Sequence, residues 1–199
     1  MDRNEVKEDF LKHVTEHKME IKHDDGVYRH LTFTRNRSNV YRFDLITYPG
    51  HLVISGDMGT YVFQRLHDMF EFFRDGIRDD DISINPGYWG EKLEAQDQQS
   101  GYKEWSKEMF EEIVTELYDT HVEEEELSRE AAEDLWREIE DELFYYADTE
   151  EKAYEKAADF QYEGFELQDF WEYNTRAYTF HYLWILFAIV WGIKQYDNK

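Results

Sequence analysis

The apolar positions change period along the chain, and those changes mark its elements. Over residues 4–18, Val6, Phe10, Leu11 and Val14 recur at helical spacing with charges between them, which predicts an amphipathic helix. Asp24-Asp25-Gly26 is a turn signal. Four stretches rich in β-branched and aromatic residues follow at 27–34, 40–47, 52–55 and 60–63, separated by short turns at 36–39, 49–50 and 57–59. That spacing predicts an antiparallel meander. Helical period returns at 64–74, where Leu66, Met69, Phe70 and Phe73 share a face.

Residues 75–101 are the least regular and include Asn85-Pro86-Gly87-Tyr88-Trp89-Gly90. The remainder reads as helical, with helices expected near 102–119, 128–147, 149–162, 166–175 and 178–195. Ser128 ahead of Glu130 and Ala131, and Thr149 ahead of Lys152, suit helix starts. The fold class expected is α+β: an N-terminal helix and a small antiparallel β-meander, followed by a mainly helical, acidic C-terminal part. Divided linearly, residues 1–76 carry the sheet, 77–101 connect, and 102–199 form the helical part, as separate bodies or as one continuous domain.

One run, residues 180–193, raises the question of a membrane. It is 14 residues long and contains His181, and Lys194, Gln195 and Asp197 close it off. A spanning helix needs roughly 20 apolar residues, so a buried core helix is expected and no membrane contact. The first 20 residues are charged and amphipathic, unlike a secretory signal. The chain has no cysteine, which excludes disulfides, thiolate nucleophiles and Cys-ligated metals and suits a reducing cytoplasm. With 18% aromatic residues it has ample material for a core.

Charge alters the picture most. The formal net charge is −24; residues 1–90 carry 16 acids and 12 bases, and residues 91–199 carry 30 acids and 10 bases. Direct binding of nucleic acid needs clustered Lys and Arg, so the expected partner is a basic, nucleic-acid-binding protein or complex. The densest stretch, residues 108–148, holds 17 acids and only Arg129 and Arg137 as bases. Like charges at i,i+4 cost a helix about 0.2–0.5 kcal/mol each, so helix stability did not select this segment. A 20-residue helix is about 30 Å long, and duplex DNA carries roughly 18 negative charges over that length. Two acidic helices side by side approach that density if their carboxylates point outward. The candidate phosphate surrogates are Glu111, Glu112, Glu123, Glu124, Glu125, Glu130, Glu133, Asp134, Glu138, Asp141 and Glu142. Acidic helical surfaces also serve solubility alone, so the deciding question is whether these groups share a face. The aromatics among them (Trp105, Phe110, Tyr118, Trp136, Phe144, Tyr145 and Tyr146) are either core or interface anchors.

No cofactor, metal or catalytic site is expected. His13 and His17 stand at i,i+4 with His23 beyond, but Val14 occupies the place of a metalloprotease's general base. Glu20-x-x-His23 is the single Glu-x-x-His pair, where a di-iron bundle needs two. Ser55-Gly56-Asp57 lacks the glycines of a nucleophile elbow, and Gly56 and Gly59 lack the Gly-Lys-Ser/Thr of a phosphate cradle. Asp44, Asp57 and Asp68, with His51 and His67, are no more than a chain with 46 acids provides by chance. Tyr41-Arg42-Phe43-Asp44 with Arg29, Arg35 and Arg37 makes a modestly basic front. It either balances charge within the protomer or offers a second contact surface, including one for self-association with the acidic half of another copy.

The run Tyr41-Arg42-Phe43-Asp44-Leu45-Ile46-Thr47-Tyr48-Pro49-Gly50-His51-Leu52-Val53-Ile54-Ser55-Gly56-Asp57-Met58-Gly59-Thr60-Tyr61 resembles a family of phage and prophage proteins without assigned function. Met69-Phe70-Glu71-Phe72-Phe73 and Ile84-Asn85-Pro86-Gly87-Tyr88-Trp89 extend the resemblance, which is close over the front half and loose over the acidic helices. It implies a phage setting, hence a bacterial host cytoplasm, and carries no catalytic residues. Phage genomes encode small acidic proteins that disable host restriction enzymes and CRISPR effectors by occupying their DNA sites. Charge and setting together lead to the expectation of a stoichiometric, non-enzymatic inhibitor of such a complex. The alternative is a phage interaction or regulatory module that meets its partner through the aromatic sheet, near Tyr41, Phe43 or Tyr61.

Overall fold

A computed structural model describes residues 2–36, 38–78, 81–99 and 101–199. The chain is α+β and divides into two units, Met1–Lys103 with Tyr178–Lys199, and Glu104–Ala177.

In the first unit, helix α1 (Arg3–Val14) starts at Asp2, whose side chain accepts from the N–H of Asn4. It buries Val6, Phe10 and Val14 and leaves Leu11 exposed. A six-stranded antiparallel meander follows: β1 (Lys18–Asp25), β2 (Tyr28–Thr34), β3 (Phe43–Tyr48), β4 (His51–Gly56), β5 (Gly59–Gln64) and β6 (Leu93–Ala95), in chain order across the sheet. The four expected strands are present, with two more flanking them. β1 runs from the expected helix end at Lys18 to the expected turn at Asp24-Asp25, across residues 19–23 for which no element was expected. It is an edge strand, exposed along nearly its whole length, so Lys-Met-Glu-Ile-Lys-His-Asp-Asp carries little buried alternation to recognise. β6 comes from the irregular stretch and is only three residues long. The β3–β4 turn is Pro49-Gly50, with Gly50 at φ 82°, a region open to glycine.

One face of the sheet is apolar at every second position: Leu31, Phe33, Phe43, Leu45, Leu52, Ile54, Tyr61 and Phe63 are all buried. Helix α2 (Met69–Phe73), helix α3 (Pro86–Gly90), α1 and the helix Phe180–Asp197 complete this core. α2 is shorter than its apolar period implied, because Asp68 caps it and Leu66 stays exposed. The final helix of the chain, Phe180–Asp197, packs on α1, β1 and β3 and buries residues on all sides, from Tyr182 through Ile193. A helix apolar all round must be surrounded. The sheet and the two N-terminal helices supply that surround, so this segment belongs with the first unit, whereas the linear division grouped it with residues 102–199. Among the described residues no helix is long and apolar enough to cross a membrane.

The second unit holds α4 (Lys107–Glu124), α5 (Arg129–Glu138) and α6 (Glu150–Asp159); the final helix is thus α7. Ser106, Ser128 and Thr149 cap the three starts by accepting from Met109, Ala131 and Lys152. α5 runs into a wide π-helical turn, Ile139–Phe144, in which Tyr145 donates to the carbonyl of Glu140 five residues back. A helix expected over 166–175 is absent. Asp169 sits in the left-handed region at φ 53°, and only Phe170–Glu172 forms a 3₁₀ turn. The core joins Phe110 and Val114 of α4 to Leu135, Ile139, Leu143, Ala153, Ala157 and Phe170. Trp105, Tyr118, Trp136 and Phe144 pack around it, whereas Tyr145 and Tyr146 are exposed.

Candidate functional site

At 3.6 residues per turn, successive residues step about 100° around a helix. On α4 the buried Phe110 and Val114, with half-buried Leu117 and His121, define the inner face. Opposite them, spaced four, four, three and four residues apart, stand Glu108, Glu112, Glu116, Asp119 and Glu123, all exposed. They fall within an arc of about 80° and run for about 22 Å. Among the described residues none of the five has a base within ion-pair distance. The Glu108 carboxyl is held below its usual range by its own backbone N–H and by the Ser106 hydroxyl, which donates to it at 2.9 Å. A hollow of about 430 Å³ lies along Glu108, Glu111, Glu112, Thr115 and Glu116.

The eleven residues picked out by sequence do not all join this row. Glu112 and Glu123 lie in it. Glu111 is half-buried beside it, 3.8 Å from Lys107. Glu124 ends α4 on a different side, and Glu125 follows as its C-cap. Glu130 is exposed in the first turn of α5, while Glu133 and Asp134 are held by Arg129 at 2.6 Å and Arg137 at 3.0 Å. Glu138 ends α5, Asp141 is exposed in the π turn, and Glu142 faces Lys156 at 3.5 Å. The row members that density alone missed are Glu108, Glu116 and Asp119. Their four-and-three spacing was the signal that finds them.

The α4 C-terminus adds a further cost. Glu123-Glu124-Glu125-Glu126 crowd the negative end of the helix dipole, and Glu126 takes a left-handed conformation at φ 49°.

Other candidates serve the fold. Asp44 accepts from the Thr32 hydroxyl and the Arg42 guanidinium and lies 3.3 Å from His30. Asp57 accepts from the N–H of Tyr41, and Asp68 pairs with Arg29. Arg29 is buried and so takes no part in an exposed basic front; Arg35 faces Glu16 at 3.6 Å, and Arg37 lies outside the described residues. His23 lies on β1 opposite His30, apart from the contacts that hold His13 and His17. Phe43 and Tyr61 are fully buried, so neither reaches a partner unless the core opens.

No family model, no curated protein and no solved structure matches this chain.

Proposed function

We propose that this protein is a non-enzymatic, stoichiometric inhibitor that docks on the nucleic-acid site of a basic protein through the outer face of α4. The observation that supports this reading is the unneutralised row Glu108, Glu112, Glu116, Asp119 and Glu123. Five charges over about 22 Å is about one per 5 Å, the same order as one strand of duplex DNA, at one per 3.4 Å. A helix selected for its own stability would place Lys four residues from Glu; this face has no base at all. Opposite charge on the partner would steer encounter and make association fast and salt-sensitive. The finer assignment is a phage-encoded inhibitor of a host DNA-binding defence complex, such as a restriction enzyme or a CRISPR effector. It draws on the phage resemblance together with this charge.

The test is affinity capture from a bacterial lysate at low and at high salt, using the native protein and a Glu112→Lys/Glu116→Lys/Asp119→Lys variant. The expected result is a basic nucleic-acid-binding partner held at low salt, released at high salt and lost by the variant. Retention of the same partner by both proteins at both salt concentrations would overturn the reading.

A further inference from the structure

The end of α1 carries two imidazoles that meet one tyrosine. The His13 ring stacks on Tyr41 with centroids 3.7 Å apart, and the Trp184 indole N–H donates to His13 Nδ1 at 3.2 Å. Three residues past the helix, His17 Nε2 lies 3.0 Å from the carbonyl oxygen of Tyr41. An indole only donates and a carbonyl only accepts. His13 Nδ1 must therefore be bare, and His17 Nε2 must carry its proton. His17 Nδ1 is then also bare, and it is buried with no hydrogen-bond partner among the described residues. Tyr41 itself sits at φ 57°, and its N–H donates to Asp57 at 2.7 Å.

We propose that His13 and His17 form an acid-sensitive clasp that fastens Tyr41, and through it the start of β3, to α1 and α7. Both rings fit this arrangement only when neutral. A proton on His13 Nδ1 sets two N–H donors against each other and breaks the bond to Trp184. A proton on His17 Nδ1 places a donor where none of the described residues offers an acceptor, a loss comparable to that of a buried unsatisfied group.

The surrounding charges do not rescue the protonated forms. Burial, the largest effect, lowers the affinity of both rings for a proton. Asp9 favours a charged His13, but it is paired at 2.9 Å with Lys12, which opposes it. Arg35 and His13 both disfavour charge on His17, against the hydrogen bond to Tyr41. Trp184 is fully buried, edge-on to Phe10 at 5.1 Å and to Phe43 at 5.8 Å, so release at His13 is felt inside the core. With both imidazoles held below the ordinary value of about 6.5, the contribution of the clasp is complete above that pH. It is lost as pH falls from there through the lower values of the folded protein.

The experiment is an NMR titration of the native protein from pH 8 to 4, following the assigned His13 and His17 rings, the Trp184 indole N–H and the Tyr41 ring. The expected result is that both histidines stay neutral below the usual imidazole range. When they do protonate, the Trp184 resonance shifts and the Tyr41 ring loses its stacking shift. In a His13→Gln/His17→Gln variant the Trp184 shift disappears, and the melting temperature falls less steeply on acidification than in the native protein. A Trp184 resonance that stays constant while His13 titrates overturns the proposal. So does a variant whose melting profile against pH matches the native one. If the variant does not fold, the native titration alone decides.

Discussion

A Cβ built on Gly192 would stand 2.7 Å from Cδ1 of Leu45 and 3.1 Å from Cζ of Phe33. α7 therefore lies against β2 and β3 at a distance that only glycine permits. Alanine is the better helix former by about 1 kcal/mol, yet overpacking a tight core costs about 1–3 kcal/mol. Gly192→Ala should lower the urea midpoint, and trimming the opposing side chain with Leu45→Val should return part of the loss. Equilibrium unfolding of the two single variants and the double variant measures that coupling. Additive effects would show that the two groups do not press on one another.

Arg29 and Asp68 make a two-pronged ion pair at 2.9 Å for each bond, with the Arg29 side chain 8% exposed and lying over Phe70 at 4.5 Å. Asp68 also caps α2 by accepting from the N–H of Phe70. Burial pushes the Asp68 carboxyl up, but the hydrogen bonds from Arg29 and Phe70 and the charge of Arg29 outweigh it and hold the group below its usual range. A depressed carboxylate contributes stability that is present above the unfolded value of about 3.9 and lost as pH falls through the folded value. Asp68→Ala should cost about 3 kcal/mol at pH 7, because it leaves a buried guanidinium unpaired. The gap between native and variant melting temperatures should narrow as pH falls below about 4. A gap that stays constant over that range would assign the loss to packing alone.

What could be read from the residues was whatever had two-sided burial to report. β2 to β5 alternate between the core and the open face of the sheet, and each lay close to its expected place. β1 did not announce itself, because an edge strand presents charge on both faces. The segment 64–74 holds apolar residues at helical spacing, but Leu66 stays outside and Asp68 starts the helix late. The Asp68 cap, not the apolar period, sets where α2 begins. In residues 166–175, too, apolar spacing does not become a helix. Phe165, Leu167 and Phe170 are all buried, but they arrive through a hairpin and a left-handed Asp169 rather than a helix. For α4 the arithmetic of the face was available throughout. Choosing carboxylates by density took in Glu133 and Asp134, which Arg129 and Arg137 neutralise, and passed over Glu116 and Asp119.

The end of α4 offers a test that concerns stability only. Glu126 holds a left-handed backbone at φ 49°, where a residue with a Cβ is strained by about 1–2 kcal/mol, and it adds charge at the wrong end of a helix dipole. Glu126→Gly should raise the melting temperature, and it should do so more at low ionic strength than at high. An unchanged or lower melting temperature would mean that Glu126 is held by contacts worth more than its strain.

The row on α4 allows binding and stability to be separated in a single substitution. Glu112 stands one turn from Glu108 and one turn from Glu116, so it meets like charge on both sides. Glu112→Lys turns two repulsive i,i+4 pairs into attractive ones, each worth about 0.2–0.5 kcal/mol. The variant should therefore melt at the same temperature as the native protein or slightly above it. If the face serves solubility or the fold, nothing else changes. If it meets a basic partner, capture of that partner from lysate weakens at least tenfold, and the dependence of binding on salt becomes shallower. A surface that gives up helix stability for contact predicts opposite signs in the two measurements. A variant that melts lower and still binds would show that Glu112 supports the fold and that the partner meets another part of the molecule.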